Sequence, residues 1–286
     1  MTRTRLLASL LLLSLGSGVA ISAPLPATVE VGRPIVIGQS YKLPSRVLGD
    51  TRVVNVYLPE GYEGGSRSFP VLYLLDGGEH EDFFHIAALA QINAAYGQGQ
   101  ELIVVGVEGV DRRHDLTSPS AVSADQKLAP TSGGAAAYRQ FLIEELKPWV
   151  ASHYRTTDRS ALIGESLAGL FVLETMLDQP NSFSDFISIS PSLWWNDGDL
   201  VHSAAPRLRQ IRFNGTRLWV GFETPAPPAQ TAAKDRALQR QLENAFRTTR
   251  PAEPSWNFVR MNETHATIYH PAARSAFRAL FGRSDR

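Results

Sequence analysis

Residues 160–173 read Ser-Ala-Leu-Ile-Gly-Glu-Ser-Leu-Ala-Gly-Leu-Phe-Val-Leu, with Ser166 near the centre. A short apolar run ends in Gly164-Glu165-Ser166, and a second apolar run of helical composition follows at once. This pattern is typical of a nucleophile elbow, a tight turn between a strand and a helix that exposes one serine. Because the turn forces neighbouring backbones together, the residues two before and two after the serine must be small. Gly164 and Ala168 meet that condition.

The Gly-x-Ser pattern is common and does not by itself distinguish a catalytic turn from an ordinary strand end. A second copy, Gly38-Gln39-Ser40, also follows an apolar triplet. The residues after that copy are neither small nor helical, so we interpret it as a strand end. The copy at Ser166 departs from the strict pattern in one respect, because Ala168 stands where glycine is usual.

The overall composition is that of a globular chain that forms a core. The chain has 286 residues, 43% of them hydrophobic and 20% charged. That is enough for one large α/β domain or two small ones. Lysine plus arginine and aspartate plus glutamate both number 28, so the formal net charge is zero. This balance gives no reason to expect nucleic acid or an anionic membrane surface as a partner.

The N-terminal residues depart from this composition. Arg3 and Arg5 precede an apolar run over residues 6–21, and small residues follow it. This is the pattern of a secretory signal peptide; a transmembrane anchor is the alternative, but the run is short for a span of ~20 residues. The chain has no cysteine, so neither a disulfide nor a lipid-anchoring thiol is expected. We predict a signal peptide over residues 1–23 and one domain over residues 24–286, exported to the periplasm or secreted, with no membrane attachment after cleavage.

Strand-like and helix-like segments alternate along the rest of the chain. Half-buried strands alternate apolar and polar residues, whereas strands covered on both faces are continuous apolar runs. These patterns predict strands over residues 34–43, 51–58, 69–75, 102–107, 161–164, 186–190, 217–222 and 256–260, and helices over 83–96, 135–154, 231–246 and 272–281. We therefore predict an α/β fold: a mainly parallel central sheet with helices on both faces, in a single domain.

Three chemically suited side chains lie at predicted strand ends. Functional groups of an open α/β sheet collect at the carboxyl ends of its strands. Ser166 follows one strand, Glu223 ends a later one, and His265 follows the last. A serine hydroxyl becomes a good nucleophile when an imidazole takes its proton, and that imidazole needs a carboxylate on its other nitrogen. The order serine, acid, histidine is the order of the α/β-hydrolase fold, which we predict here.

Other side chains compete for two of these roles. Asp197 and Asp199 follow the preceding strand and are alternatives to Glu223 as the acid. His270 is an alternative to His265, but it stands directly before a proline at a predicted helix start. His265 is therefore the favoured histidine.

Backbone N–H groups are expected to bind the oxyanion of a tetrahedral intermediate. Leu167 opens the helix after the serine, and Gly78 follows the early strand from which this fold draws its second donor. No metal or other cofactor is predicted. His80 and His85 are five residues apart, whereas a zinc-binding helix spaces its histidines by four, and there is no glycine-rich phosphate loop.

Two further stretches are candidates for substrate binding. Residues 111–130 form a long polar connection, which we expect to lie over a site, and Arg112 within it is suited to an anionic group. A solvated surface arginine is the simpler interpretation. Trp194 and Trp195 directly follow a predicted strand end. They fit either the core or the wall of a substrate pocket.

Taken together, several stretches resemble one family, the putative esterase family of α/β hydrolases. That group contains esterase D, the mycolyltransferases of the antigen 85 type and the enterobactin esterases. The matching stretches run in the right order from about residue 40 to 280: residues 71–77, 103–107, 111–112, 115–117, the elbow around Ser166, 189–195 and 263–265. Small exported members of the group are the most similar.

The resemblance implies a catalytic role for residues already singled out. Ser166 corresponds to the nucleophile and His265 to the general base, Glu223 matches the acidic position, and Gly78 and Leu167 match the oxyanion donors. An exported serine esterase follows, acting without a cofactor on a small ester such as a siderophore ester through an acyl-enzyme.

Three positions depart from the family pattern. Ala168 and Ala266 stand where glycine is usual, and Glu165 stands where histidine is common. Two alternatives remain, one suggested by the mycolyltransferases of the group, which share every catalytic residue, and one suggested by Ala168 and Ala266. One is an acyltransferase of the same fold, and the other is a catalytically inactive homologue that only binds a ligand.

Overall fold

The computed structural model describes residues 32–224, 229–249 and 256–282. The chain divides into two units, Met1–Val36 and Ile37–Arg286. Within the first unit only residues 32–36 are described, and they have no regular secondary structure. The predicted signal peptide over residues 1–23 lies outside the described residues. None of the helices in the described ranges combines the length and the apolar character that crossing a bilayer requires.

The regular elements all lie in the second unit, and those described are eight strands and nine α-helices. The strands are β1 (Gln39–Pro44), β2 (Thr51–Tyr57), β3 (Phe69–Leu74), β4 (Ile103–Val107), β5 (Thr156–Glu165), β6 (Asp185–Ile189), β7 (Arg217–Glu223) and β8 (Trp256–Met261). The helices are α1 (Phe83–Ala95), α2 (Arg112–Asp115), α3 (Ser123–Leu128), α4 (Ala135–Phe141), α5 (Lys147–His153), α6 (Leu167–Asp178), α7 (Asp199–Gln210), α8 (Ala229–Thr249) and α9 (Tyr269–Phe281).

The eight strands form one sheet in the order β1-β2-β4-β3-β5-β6-β7-β8. The pairs β1–β2 and β2–β4 are antiparallel, and every later pair is parallel. The predicted mainly parallel sheet and single α/β-hydrolase domain are thereby confirmed. Parallel strands need long crossover connections, and the helices between the strands provide them.

Both faces of the sheet are covered by helices, as predicted. Side chains of a strand alternate between the two faces. In β3, Val71 and Tyr73 pack into the core beneath α4 to α8, whereas Leu72 and Leu74 pack into the core beneath α1 and α9. Burial on both faces explains why this strand is a continuous apolar run in the sequence.

Some element boundaries differ from the prediction. The first strand begins at Gln39, which pairs with Val56, and not at residue 34. The strand before the elbow begins at Thr156, because exposed polar residues extend it beyond the apolar run. Helix α7 (Asp199–Gln210) was not predicted, since Pro206 within it argues against a helix. The connection over residues 111–130 contains two short helices, α2 and α3.

The parallel register places three strand ends side by side. Glu165 at the end of β5 pairs with Ile189 of β6, and Ile189 pairs with Gly221 of β7. Residues that follow these positions therefore emerge at the same edge of the sheet. The candidate site lies at this edge.

Candidate active site

Ser166 lies on a sharp turn between β5 and α6, as the sequence predicts. Its backbone adopts φ +61° and ψ −118°, which a residue with a side chain seldom occupies. Three hydrogen bonds hold the turn: the Ser166 N–H donates to the Ile189 carbonyl at 3.0 Å, and the Ser166 carbonyl accepts from the N–H groups of Leu170 at 3.0 Å and Ser192 at 3.1 Å. The surrounding structure thus fixes a conformation that a free chain would avoid.

The turn also requires a glycine at position 164. A Cβ added there would lie 2.6 Å from the Cβ of Ala168 and 2.8 Å from the Ala168 carbonyl carbon. These distances are shorter than any ordinary contact between carbon atoms. The small residues on either side of Ser166 are therefore a steric requirement.

His265 reaches Ser166 from the segment after β8. Its Nε2 lies 3.1 Å from the Ser166 Oγ, which is hydrogen-bonding distance. Ser192 Oγ lies 3.3 Å from the same hydroxyl oxygen. The pairing of hydroxyl and imidazole expected from the sequence is present, although 99 residues separate the two side chains along the chain.

The other ring nitrogen of His265 contacts a residue that the sequence did not reveal. Ser190 Oγ lies 2.6 Å from Nδ1, whereas Glu223 Oε1 lies 3.7 Å from it. If Nδ1 carries the proton and donates it to Ser190, Nε2 is left as an acceptor facing Ser166. Ser190 follows β6 and has φ +43°, so its position depends on the strand register and on this unusual backbone conformation.

The electrostatics of the site favour a proton on this histidine. Interaction with the Glu223 carboxylate raises the pKa of His265 above its ordinary value, although burial opposes the shift. Burial by itself would raise the pKa of Glu223, but the contacts with His265 and Ser190 outweigh it, and that pKa lies below its ordinary value. An ionised carboxylate that stabilises an imidazolium is the arrangement a general base requires.

The two expected oxyanion donors differ in their surroundings. Leu167 is the first residue of α6, so its N–H precedes the intrahelical bonds and points out of the helix N-terminus. The Gly78 N–H instead donates to Glu81 Oε2 at 2.7 Å. Gly78 would therefore serve an oxyanion only after Glu81 releases it, and its role stays a prediction.

Arg112 is held by groups of the protein. Its Nε lies 2.9 Å from both carboxylate oxygens of Asp76, and a terminal nitrogen donates to the Glu165 carbonyl at 3.2 Å. Burial raises the pKa of Asp76 to about 6 in spite of this ion pair. Burial also raises the pKa of Glu165 to about 7, although His265 opposes the shift. Arg112 thus joins the strand end at Asp76 to the elbow, and its predicted contact with substrate stays a prediction.

The two tryptophans have different positions. Trp194 is half-buried and lines a cavity of about 250 Å³ beside His265. Trp195 is buried, and its indole N–H donates to the Ser118 carbonyl at 2.9 Å. Of the two roles that the sequence left open for Trp195, the structure shows the core: its ring packs in the main hydrophobic cluster, and it is not among the residues that line the cavity.

The family of the chain follows from a comparison with known proteins. The family described as "Putative esterase" matches residues 45–253, which is more than half of the chain. The chain belongs to this esterase family. The match contains Ser166 and Glu223, and His265 lies beyond its end.

Individual members of the esterase family match smaller parts of the chain. Ferri-bacillibactin esterase BesA of Bacillus subtilis is 31% identical over 144 residues, which are 45% of this chain and 49% of that protein. The siderophore triacetylfusarinine C esterase of Aspergillus fumigatus is 29% identical over 170 residues, 54% of this chain and 56% of that protein. The chain therefore spans about half the length of these relatives.

One solved structure resembles this protein over a larger share of the chain than these relatives do. An IroE-like serine hydrolase from Shewanella oneidensis superposes with a TM-score of 0.73 at 26% identity, covering 85% of this chain and 80% of that chain. The two proteins thus share the α/β-hydrolase fold over most of this chain.

Asp197 and His270, alternatives for the acid and the histidine, have other partners than Ser166 and His265. Asp197 is exposed and pairs with Lys234 at 2.8 Å. His270 Nδ1 lies 2.7 Å from His85 Nε2, and the two rings stack. In the described part of the chain, no group of three or more histidine, aspartate or glutamate side chains is arranged to hold a metal ion.

Proposed function

We propose that the protein is an exported serine esterase, which hydrolyses a carboxylic ester through an acyl-enzyme on Ser166. The observation that supports this most directly is the 3.1 Å contact between Ser166 Oγ and His265 Nε2 on a strained turn. Membership of the esterase family supports the reaction class. The proposed export rests on the N-terminal sequence alone.

In the first half of the reaction, Ser166 Oγ attacks the carbonyl carbon of the ester while its proton passes to His265 Nε2. The oxyanion that forms faces the Leu167 N–H at the start of α6. When the tetrahedral intermediate collapses, the bond to the alcohol oxygen breaks. His265 gives its proton to the leaving alkoxide, and the acyl group remains on Ser166.

The second half repeats these steps with water. His265 takes a proton from water, whose oxygen attacks the acyl carbon, and the bond to Ser166 Oγ breaks as His265 returns the proton to it. During both halves the ring carries a positive charge at the moment of attack. Ser190 and Glu223, which face Nδ1, stabilise that charge.

The relatives suggest a substrate class. BesA is named a ferri-bacillibactin esterase, and the Aspergillus fumigatus protein is named a siderophore esterase. We therefore propose a small ester substrate, with siderophore esters as the first class to examine.

The test is hydrolysis of a short-chain p-nitrophenyl ester by the mature protein and by Ser166→Ala. We expect the variant to lose hydrolysis and to lose labelling by a fluorophosphonate probe, without unfolding at a lower temperature. An unlabelled wild-type protein that hydrolyses none of a panel of esters would instead favour the inactive, ligand-binding homologue. Hydrolysis that survives in Ser166→Ala would contradict the assignment of the nucleophile.

A further inference from the structure

The cavity beside His265 contains two carboxylates. Its walls include Glu223 at the end of β7 and Asp235 on α8, together with Trp194 and Gln239. Its volume of about 250 Å³ suits a small substituent next to the reacting carbonyl. With His265 neutral, the cavity walls carry a formal charge of minus two, and protonation of the ring leaves minus one.

The Asp235 carboxylate has no direct contact with a positive group among the side chains that the structure describes. Asp235 is half-buried, and its carboxylate forms no hydrogen bond or ion pair with any residue whose side chain the structure describes. The adjacent Lys234 pairs with Asp197. Burial raises the pKa of Asp235 and the charge of Glu223 raises it further, while the charges of Lys234 and Arg236 oppose the shift. A carboxylate in such a position is stabilised by any cation that enters the cavity.

A second group in the wall is also without a partner. Gln239 is only 6% exposed, yet it lines the cavity, and its side chain forms no hydrogen bond to a residue whose side chain the structure describes. Asp235 and Gln239 are four residues apart on α8, so both project from one face of the helix. Trp194 also lines the cavity, and aromatic rings attract cations.

Three arginines line a neighbouring groove, which we call the arginine groove. That groove has about 380 Å³, and its walls include Arg236, Arg240 and Arg260. Glu223 and Gln239 line both spaces. None of the described residues that line the cavity beside His265 is a lysine or an arginine.

We propose that the cavity binds a cationic group of the ester substrate, an alkylammonium, with Asp235 as its counter-ion and Trp194 as an aromatic wall. Gln239 supplies a polar contact beside it. This inference rests on the proposed esterase function and names the substrate class for that same site. An anionic substituent would be disfavoured in the cavity and would fit the arginine groove instead.

The experiment compares esters that differ only in charge. On the acyl side the pair is the p-nitrophenyl ester of γ-(trimethylammonio)butyric acid and its isostere with carbon in place of nitrogen; p-nitrophenyl hemiglutarate is the anionic member. On the alcohol side the pair is butyrylcholine and its carbon isostere. The measured quantity is the ratio of kcat/KM for the cationic ester to that for the neutral one.

We expect the wild-type ratio to exceed one by about tenfold in at least one of the two series, and Asp235→Asn to lower that ratio by at least about fivefold. The matched control is Asp158→Asn, which removes the same charge near the start of β5, at the opposite end of that strand from the elbow. It should leave both rate constants unchanged.

The outcomes separate this inference from the proposed function. If the neutral esters are hydrolysed by the wild type but not by Ser166→Ala, and the ratio is at or below one, the cation site is wrong and the esterase stands. A preference for the hemiglutarate, or a ratio unaffected by Asp235→Asn, would also overturn it. If no ester is hydrolysed, the proposed esterase function is wrong, and the cation site is then tested by calorimetric titration of Ser166→Ala with butyltrimethylammonium. Binding that Asp235→Asn abolishes supports the cation site, and absence of binding refutes it.

Discussion

Replacing Ser190 with alanine tests whether the general base depends on a hydroxyl between it and the acid. Ser190 Oγ is 2.6 Å from His265 Nδ1, and the Glu223 oxygen is 3.7 Å away. Because Ser190→Ala removes only the oxygen, it leaves Nδ1 facing a methyl group with no direct partner in its place. Ser190 is thus expected to act as a positioning residue, working through His265.

The size of the effect follows from the charge that His265 acquires. A hydrogen bond to a charged group contributes roughly 1.5–3 kcal/mol, and each 1.36 kcal/mol is a factor of about ten in rate. We therefore expect kcat to fall by roughly 10- to 150-fold. KM should change little, because the bond is worth most when the ring is protonated in the transition state.

The assay is steady-state hydrolysis of a neutral p-nitrophenyl ester by Ser190→Ala, Glu223→Gln and the double variant. If the hydroxyl and the carboxylate act as one unit, the double variant should be hardly slower than the slower single variant. Ser188→Ala is the matched control: its hydroxyl is buried on β6, two residues before Ser190, and donates to the Gly169 carbonyl at 2.8 Å. It should cost stability, about 1 kcal/mol, without lowering kcat as much.

The reasoning would be refuted by a Ser190→Ala variant that keeps the wild-type kcat. It would also be refuted by fully additive losses in the double variant, since two independent contacts behave in that way. An equal loss of kcat in Ser188→Ala would show that the strand, and not the hydroxyl, matters.

Two further predictions follow from the same edge of the sheet. In Glu223→Gln, the loss of the carboxylate lowers the pKa of His265. The acidic limb of the plot of kcat/KM against pH, where the base becomes protonated, should therefore move to lower pH, and the plateau should fall. An acidic limb that does not move would contradict Glu223 as the partner of His265. Gly164→Ala should yield no stable folded protein, or one destabilised by more than about 3 kcal/mol, because its Cβ would lie 2.6 Å from that of Ala168. Ala168→Gly, measured beside it by chemical denaturation, should cost only about 1 kcal/mol and keep its activity; equal stability of the two variants would contradict the steric argument.

The sequence was most informative where a local pattern has a local cause. Strand β3 is a continuous apolar run because both of its faces are buried, and the elbow needs small residues because its backbones touch. The meeting of Ser166 with His265 followed from topology alone, since residues at the carboxyl ends of parallel strands share one edge.

Features that depend on register and on helix rotation could not be predicted. Ser190 looks like an ordinary strand end, and it faces His265 only because β6 pairs with β5 and β7 in one particular register. The spacing of four residues between Asp235 and Gln239 places them on one face of a helix, and this can be inferred from the sequence. Which cavity that face borders depends on how α8 packs against the sheet, and the local sequence of α8 does not determine this.

The departures from the family pattern bear directly on whether the protein is active. Ala168 is fully buried, and its methyl group fills the space that a Cβ at position 164 would need, so alanine is tolerated at one of the two positions while glycine occupies the other. Ala266 is exposed, so its methyl group faces solvent. Neither methyl group separates Ser166 from His265, whose atoms remain 3.1 Å apart. Since the two substitutions that first suggested an inactive homologue leave this contact in place, the geometry favours the esterase over a scaffold that only binds.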